Sequence, residues 1–465
     1  MALAPNSRAA RDVAHLLHPV SNLARHEENG PFILERGKGI HVYDDEGRPY
    51  IEAMAGLWCT ALGYGVEELV EAAAEQMRKL AYSPLFASKS HDPAIELAEK
   101  VKSMIPFAAG KAGKVFFGNS GSDANDTHLK LIWYYNNARG RTQKKKIIAR
   151  QRGYHGVTVA TAKLTGLPIM QTDFDLPVSG ILHTDNPHHY RFGEPGETEE
   201  AFSQRMAQSL EALVEKEGPE TIAAFFAEPV QGAGGVIVPP AGYFEAIMPV
   251  LKKHDIMLID DEVITGFHRT GNTFGCETFG FTPDAMTLAK AISSAYLPIS
   301  ASVVSDDVYR AAVEESRKLG MFGHGYTYTG HPVCAAVAVR NLQLMEEWKI
   351  GDHVRSVSPR FQSRLKALAG HELVGEARGV GLVGGIELVA DKPSKRAFVA
   401  KAGVGAYIAA RAQAHGIIVR AIGDIIAVCP PLIIESEEID EVFDRLEDAL
   451  DDAAAHVTKE NLRAT

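Results

Sequence analysis

Between residues 115 and 288, short apolar runs alternate with stretches in which apolar side chains recur every three or four positions. The runs at 115–117, 146–149, 222–227, 256–259 and 285–288 read as buried strands, and the segments between them as helices. Strand alternating with helix builds βαβ units, so the pattern predicts a mostly parallel sheet covered on both faces. The chain ends read differently. Residues 31–55 form a hairpin-like pair of strands turned at Asp45-Glu46-Gly47. From His331 a helix runs to about Trp348, followed by glycine-rich short strands within 373–389 and 416–429 and an amphipathic helix opening at Ser436-Glu437-Glu438. The expected architecture is α/β, with a large domain over 60–328 and a smaller α+β domain assembled from both ends, 1–59 and 329–465.

Composition narrows the class. The 465 residues correspond to about three domain-sized units. With 46% hydrophobic and 23% charged residues the chain is not a disordered one. A net charge of −11 argues against a general nucleic-acid binder, which needs a basic surface. Cys59, Cys276, Cys334 and Cys429 stand apart without CxxC pairing, which excludes a disulfide scaffold and a cysteine-based zinc site and suits a reducing compartment. No apolar stretch approaches the length of a membrane helix, and the first residues lack the apolar core of a signal peptide. A cytoplasmic protein without membrane contact is expected. Lys144-Lys145-Lys146 reads as a solvated loop before a strand.

Four local features carry chemistry. Gly118-Asn119-Ser120-Gly121-Ser122-Asp123 follows an apolar strand and opens a helix. Its small residues let backbone N–H groups approach an anion, although an ordinary helix cap reads the same way. In Arg152-Gly153-Tyr154-His155-Gly156 an aromatic between glycines can lie flat on a planar ring, or simply pack at a strand end. Asp260-Asp261-Glu262 ends a strand where α/β proteins bind ligands; a metal is the competing reading, but no further ligand is spaced to complete a shell. Lys290 ends the next apolar strand, where a lysine is costly unless its pKa falls or it bonds covalently to a carbonyl. An anion turn, a flat aromatic, an aspartate and a lysine together fit pyridoxal phosphate.

At this point the chain resembles the class III aminotransferases, of the fold-type-I pyridoxal-phosphate enzymes. The likeness rests on residues 258–271 (LIDDEVITGFHRTG) followed by Lys290, on 228–236 (EPVQGAGGV) and on 325–332 (GYTYTGHP), and it runs over nearly the whole chain. The resemblance implies that Lys290 bonds the cofactor and moves the proton, and that Asp261 keeps the pyridine nitrogen protonated. It places Tyr154 on the ring, and assigns Ser120, Gly121, Ser122, Glu228 and Val263 to the cofactor site. Thr327 would complete the phosphate site from a partner subunit, making a homodimer or a higher assembly with shared active sites obligatory.

Substrate class comes from finer comparison. Ornithine and GABA aminotransferases resemble the chain but usually carry a Glu–Arg gate at the places held here by Ala233 and Ala427. Trp58, in Gly56-Leu57-Trp58-Cys59, and Arg420, in Ile418-Val419-Arg420-Ala421, resemble instead the amine:pyruvate or ω-transaminase branch. There the tryptophan lines the pocket and the arginine takes a carboxylate and swings away for apolar amines. Leu85, Phe86 and Tyr326 join the substrate-binding set by the same resemblance. The implied activity is ping-pong transfer of an amino group from a primary amine or ω-amino acid to pyruvate. The alternatives are a polyamine or β-alanine transaminase using another 2-oxo acid, and a dialkylglycine-type decarboxylase. His268, Ser294, Ala295, Ile299 and Ser300 depart from the family, the first where glycine is common and the others among the glycines usual after the lysine. These changes alter backbone freedom near the cofactor.

Overall fold

The computed structural model describes residues 4–107 and 112–463. Strands β1 (Leu34–Lys38), β2 (His41–Asp44) and β3 (Pro49–Glu52) form an antiparallel meander near the N-terminus. The central sheet contains β4 (Ala112–Gly118), β5 (Lys146–Arg150), β6 (Ile181–Thr184), β7 (Ile222–Ala227), β8 (Met257–Asp261), β9 (Ala285–Leu288) and β10 (Ser300–Ser305). Its order is β4-β10-β9-β8-β7-β5-β6, parallel from β9 to β6, with β10 antiparallel to both of its neighbours. Toward the C-terminus, β11 (Val374–Val380) and β12 (Val383–Leu388) form a hairpin. The short β13 (Ile417–Ile418) crosses to pair in parallel with β3, so the two chain ends share a sheet. β14 (Arg420–Ala421) and β15 (Ile425–Val428) complete a third sheet on β12.

Both faces of the central sheet are covered, and the strand sequences show why. Every residue of β7 is buried: Ala224 and Phe226 join one apolar cluster, Phe225 and Ala227 the other. The helix Gly121–Ala138 places Leu129 and Ile132 on the first face, and the helices Glu199–Glu217 and Tyr243–Lys253 place Phe202, Leu210, Phe244 and Leu251 on the second. The same alternation continues in β8, where Leu258 and Ile259 face opposite clusters. Asp260 and Asp261 are thereby sent to opposite sides.

Two strands escape the apolar pattern. β10 reads SASVVS, and its Ser300 and Ser302 are buried, with hydroxyls donating to Asp123 Oδ1 (3.0 Å) and the Ala124 carbonyl (3.0 Å). β6 is only four residues long, and His183 within it is bound to the Leu164 carbonyl. The lysine run also differs from expectation. Lys144 is buried with its amine on the His254 carbonyl (3.2 Å), Lys145 donates to the Trp133 carbonyl (2.9 Å), and Lys146 pairs with Glu217 (2.9 Å). Each amine has acceptors within reach, so the run is tied down rather than solvated.

Candidate active site

The carboxyl ends of β5, β8 and β9 and the turn after β4 converge on a cavity of ≈ 380 Å³. Ser120, Gly121, Ser122, Tyr154, Glu228, Asp261, Val263 and Lys290 all line it, so the structure gathers eight of the positions singled out in the sequence. Lys290 has φ = +50° and lies two residues past the end of β9. Burial lowers its pKa, opposed by the nearby Cys59, Asp261 and Glu228. A lysine whose pKa falls spends more of its time as the neutral amine, the form that can act as nucleophile and base.

Asp261 is held from two sides. Its Oδ2 accepts the Asn125 side-chain amide (2.8 Å) and His155 Nδ1–H (2.8 Å), and its Oδ1 accepts the Val263 N–H (3.2 Å). Asn125 is fixed in turn, donating to the His155 carbonyl (2.8 Å) and accepting from Thr287 (2.7 Å). The carboxylate thus keeps its orientation with no cationic lysine or arginine hydrogen-bonded to it among the described residues, leaving its charge for a ligand. Glu228 braces the next layer, accepting the N–H groups of Tyr154 (2.9 Å) and Gly232 (3.0 Å). Burial raises the Glu228 pKa.

The anion turn is also a helix cap. Ser120 Oγ accepts the Asp123 N–H (3.2 Å) and Asp123 Oδ1 accepts the Ser120 N–H (3.0 Å). Ser122 Oγ accepts the Val157 N–H (3.2 Å). Both hydroxyls are engaged as acceptors and keep their protons to donate at the N-terminus of an 18-residue helix. A side chain on Gly121 would press on Val263, and one on Gly156 (φ = +136°) would collide with Ser122 and Thr161. The close backbone approach needs both glycines.

The family model for "Aminotransferase class-III" matches residues 22–450. The chain belongs to the class III aminotransferases. It is 51% identical over 420 residues to the mitochondrial gamma-aminobutyrate transaminase 1 of Oryza sativa subsp. japonica, covering 90% of this chain and 81% of that protein. It is 50% identical over 427 residues to the chloroplastic gamma aminobutyrate transaminase 3 of Solanum lycopersicum (92% and 82% covered). Among solved structures, the omega transaminase of Pseudomonas jessenii in complex with PMP superposes with a TM-score of 0.95 at 50% identity, covering 97% of this chain and 99% of that one. The fold is therefore fold type I, and the cofactor of this aminotransferase is pyridoxal phosphate.

The donor set fits that cofactor: two hydroxyls and a helix N-terminus for a phosphate, an oriented carboxylate for a pyridinium nitrogen, and a buried lysine for an aldehyde. Three of the five positions where the aminotransferase departs from family glycines keep left-handed backbone without them, with φ = +76° at His268, +47° at Ser294 and +62° at Ala295, whereas Ile299 and Ser300 do not.

The remaining expected positions fall in three places. Trp58 does not line the cavity of the single chain. It is 2% exposed and packs with Val230, Ile264 and Ala427, while its neighbour Cys59 lines the wall. The turn that buries it is left-handed at Ala55, Gly56 and Trp58. Arg420 and Ala233 are half-buried, Arg420 directly opposite Ala427 in the β14–β15 ladder. Leu85, Phe86, Tyr326 and Thr327 gather elsewhere: Phe86 lies against Gly325, Leu85 against Gly330, and Tyr82 donates to the Thr327 carbonyl (2.8 Å). The Tyr326 hydroxyl donates to the Asp123 carbonyl (3.0 Å) at the back of the anion turn.

Sequence reasoning missed Asn125 and assigned His155 no partner. Asparagine is a poor residue for a helix interior, and that was the available signal. The metal alternative at Asp260–Glu262 has a different explanation. Glu262 accepts from Thr265 (2.5 Å) and the Cys276 N–H (2.7 Å), so its carboxyl is already engaged by the protein, and burial raises the pKa of both Asp260 and Glu262.

Proposed function

We propose that this aminotransferase moves an amino group from a primary amine or ω-amino acid to pyruvate, in two half-reactions on one cofactor. Pyridoxal phosphate, when bound, supplies an aldehyde carbon and an electron-withdrawing ring. The chain does the rest. Lys290 would take the proton from the substrate carbon and deliver it to the cofactor's former aldehyde carbon, Asp261 would keep the ring nitrogen protonated, and the Ser120–Ser122 turn would fix the phosphate.

Arg420 carries the acceptor reading. Its guanidinium is half-buried near Tyr154, burial lowers its pKa, and among the described residues no carboxylate pairs with it. A buried, unpaired guanidinium wants a carboxylate. Other cations are engaged: Arg269 is bound to the Leu382 and Pro430 carbonyls, Arg152 to the Gly234 carbonyl and Lys163 to Gln171. Of these four cations only Arg420 is unengaged, which suits a monocarboxylate better than a dicarboxylate, and the Ala233 and Ala427 positions add none. The likeness to γ-aminobutyrate transaminases favours an ω-amino acid on the donor side.

The reading extends to a homodimer. Phe86 is 50% exposed and Tyr328 58% exposed beside Leu85 and Thr327, an apolar surface suited to a second copy, whose Thr327 would reach the phosphate end of this cavity. The division into 1–59, 60–328 and 329–465 rests on the sheet shared by the two ends. No helix among the described residues is long and apolar enough to cross a membrane. All four cysteines are free, in keeping with a reducing compartment; we propose the cytoplasm, and cell fractionation tests that against the organelles named for the plant relatives.

The deciding experiment separates the half-reactions. Enzyme converted to its aminated form by an amine donor is offered pyruvate or 2-oxoglutarate, and the return of the aldehyde-form absorbance is followed. Recovery with pyruvate is expected, and Arg420→Ala should slow it at least tenfold while sparing 1-phenylethylamine as donor. Recovery mainly with 2-oxoglutarate, or equal loss in both halves, overturns the acceptor assignment.

A further inference from the structure

The N-terminal arm holds a cluster that the transamination chemistry does not use. The helices Arg8–His15 and Leu23–Asn29 bury none of their residues, and Leu17 and Val20 between them are exposed. Three side chains tie the two helices together. His18 Nε2 lies 2.8 Å and His26 Nε2 3.1 Å from the same oxygen, Asp12 Oδ1, and the imidazole rings sit 4.0 Å apart. The buried Nε2 of His26 makes no hydrogen bond. It is aimed at the carboxylate without bonding to it.

Four clusters of His, Cys, Asp and Glu come within ligating distance of one another among the described residues. Two of the other three are paired with cations and the third is closed to solvent. His188–Glu376–Glu387 is paired with Arg378 and Arg191. Glu211–Glu215–His254 is paired with Lys253. Asp260–Glu262–Cys276 is sealed from solvent, and Glu262 within it accepts from Thr265 and the Cys276 N–H. Asp12–His18–His26 differs in each respect. No lysine or arginine is bonded to its carboxylate among the described residues, its side chains are partly open, and both histidines belong to the arm: His18 and His26 front a surface pocket with Ser21, Asn22 and Arg25.

We propose that Asp12, His18 and His26 bind a divalent cation of the zinc class and staple the arm. Zinc takes imidazole nitrogen and carboxylate oxygen at about 2.0–2.2 Å in a tetrahedron whose edges are about 3.3 Å. The two nitrogen–oxygen separations of 2.8 and 3.1 Å need to open by only a few tenths of an ångström. Two imidazoles with one carboxylate select zinc over calcium or magnesium, which want more oxygen ligands. A water on the pocket side fills the fourth position.

The test uses the holoenzyme after chelator treatment and dialysis, titrated with Zn²⁺ while bound metal and proteolysis of the arm are measured. One equivalent per chain is expected, with cleavage within residues 8–29 slowed at least tenfold by the metal. Both effects should vanish in His26→Gln and Asp12→Asn and persist in His254→Gln, with the cofactor absorbance unchanged throughout. A wild-type enzyme that binds no equivalent, or a His26→Gln enzyme that keeps it, overturns the proposal. So does equal loss in His254→Gln.

Discussion

Glu52 offers the sharpest prediction about stability. It is buried at the end of β3, where its carboxyl accepts the N–H groups of Met54 (3.3 Å) and Gly56 and the hydroxyl of Tyr64. It therefore clamps the left-handed turn that buries Trp58. Burial is the largest influence on it and raises its pKa from 4.5 to about 7; the three hydrogen bonds oppose the rise without cancelling it. The sign follows from linkage. Below pH 4.5 the group is protonated in both folded and unfolded chains and has no effect. Between pH 4.5 and about 7 the unfolded chain ionises first, so folding loses stability as pH rises. At ~1.4 kcal/mol per pH unit the loss is ~3 kcal/mol by pH 8. Glu52→Gln cannot ionise, and whatever constant cost its amide brings is the same at every pH. The difference in denaturant midpoint between wild type and Glu52→Gln should thus move in favour of the variant by ~3 kcal/mol from pH 4.5 to pH 8. A difference that stays flat across that window would refute the burial argument.

Three further outcomes follow from the site. Ala295 is exposed with φ = +62°, so Ala295→Gly relieves left-handed strain at no cost in burial and should raise stability by about 1 kcal/mol, read as a denaturant midpoint. Asn125→Ala removes one of two side-chain donors to Asp261 and should weaken cofactor binding about tenfold in an absorbance titration. Asn125→Asp, which sets like charge against Asp261, should be worse. Gly156→Ala should destabilise by more than 2 kcal/mol, since the new methyl meets both Ser122 and Thr161 in a backbone conformation that alanine resists; calorimetry of the holoenzyme reads it.

Two of the groups assigned to the cofactor site were legible because they sit at or just past a strand end, where a break in an apolar run marks both the element and the site. Asp261 and Lys290 are such breaks. What escaped was pairing across distance. Asn125 and Asp261 are 136 residues apart, and nothing local to either announces the other. β10 was hidden for a related reason: its serines are core residues because Asp123 and Ala124 lie across from them, a fact of the assembled fold. Lys144 read as solvated because its acceptors come from residues 254 and 255. Trp58 was placed on the pocket by likeness, and the single chain seals it one layer behind.

The ladder between β14 and β15 has a consequence for redesign. Arg420 and Ala427 are directly opposed, so their side chains leave the sheet on the same side about 5 Å apart. The rung works as a ruler: if Arg420 is the carboxylate anchor proposed above, moving the guanidinium from 420 to 427 would shift that anchor by this length and change which chain lengths fit. Ala427 is packed against Trp58, so the far mark becomes usable only when the indole is cut back. Libraries that vary 58, 420 and 427 together will reach substrates that no single-site library contains.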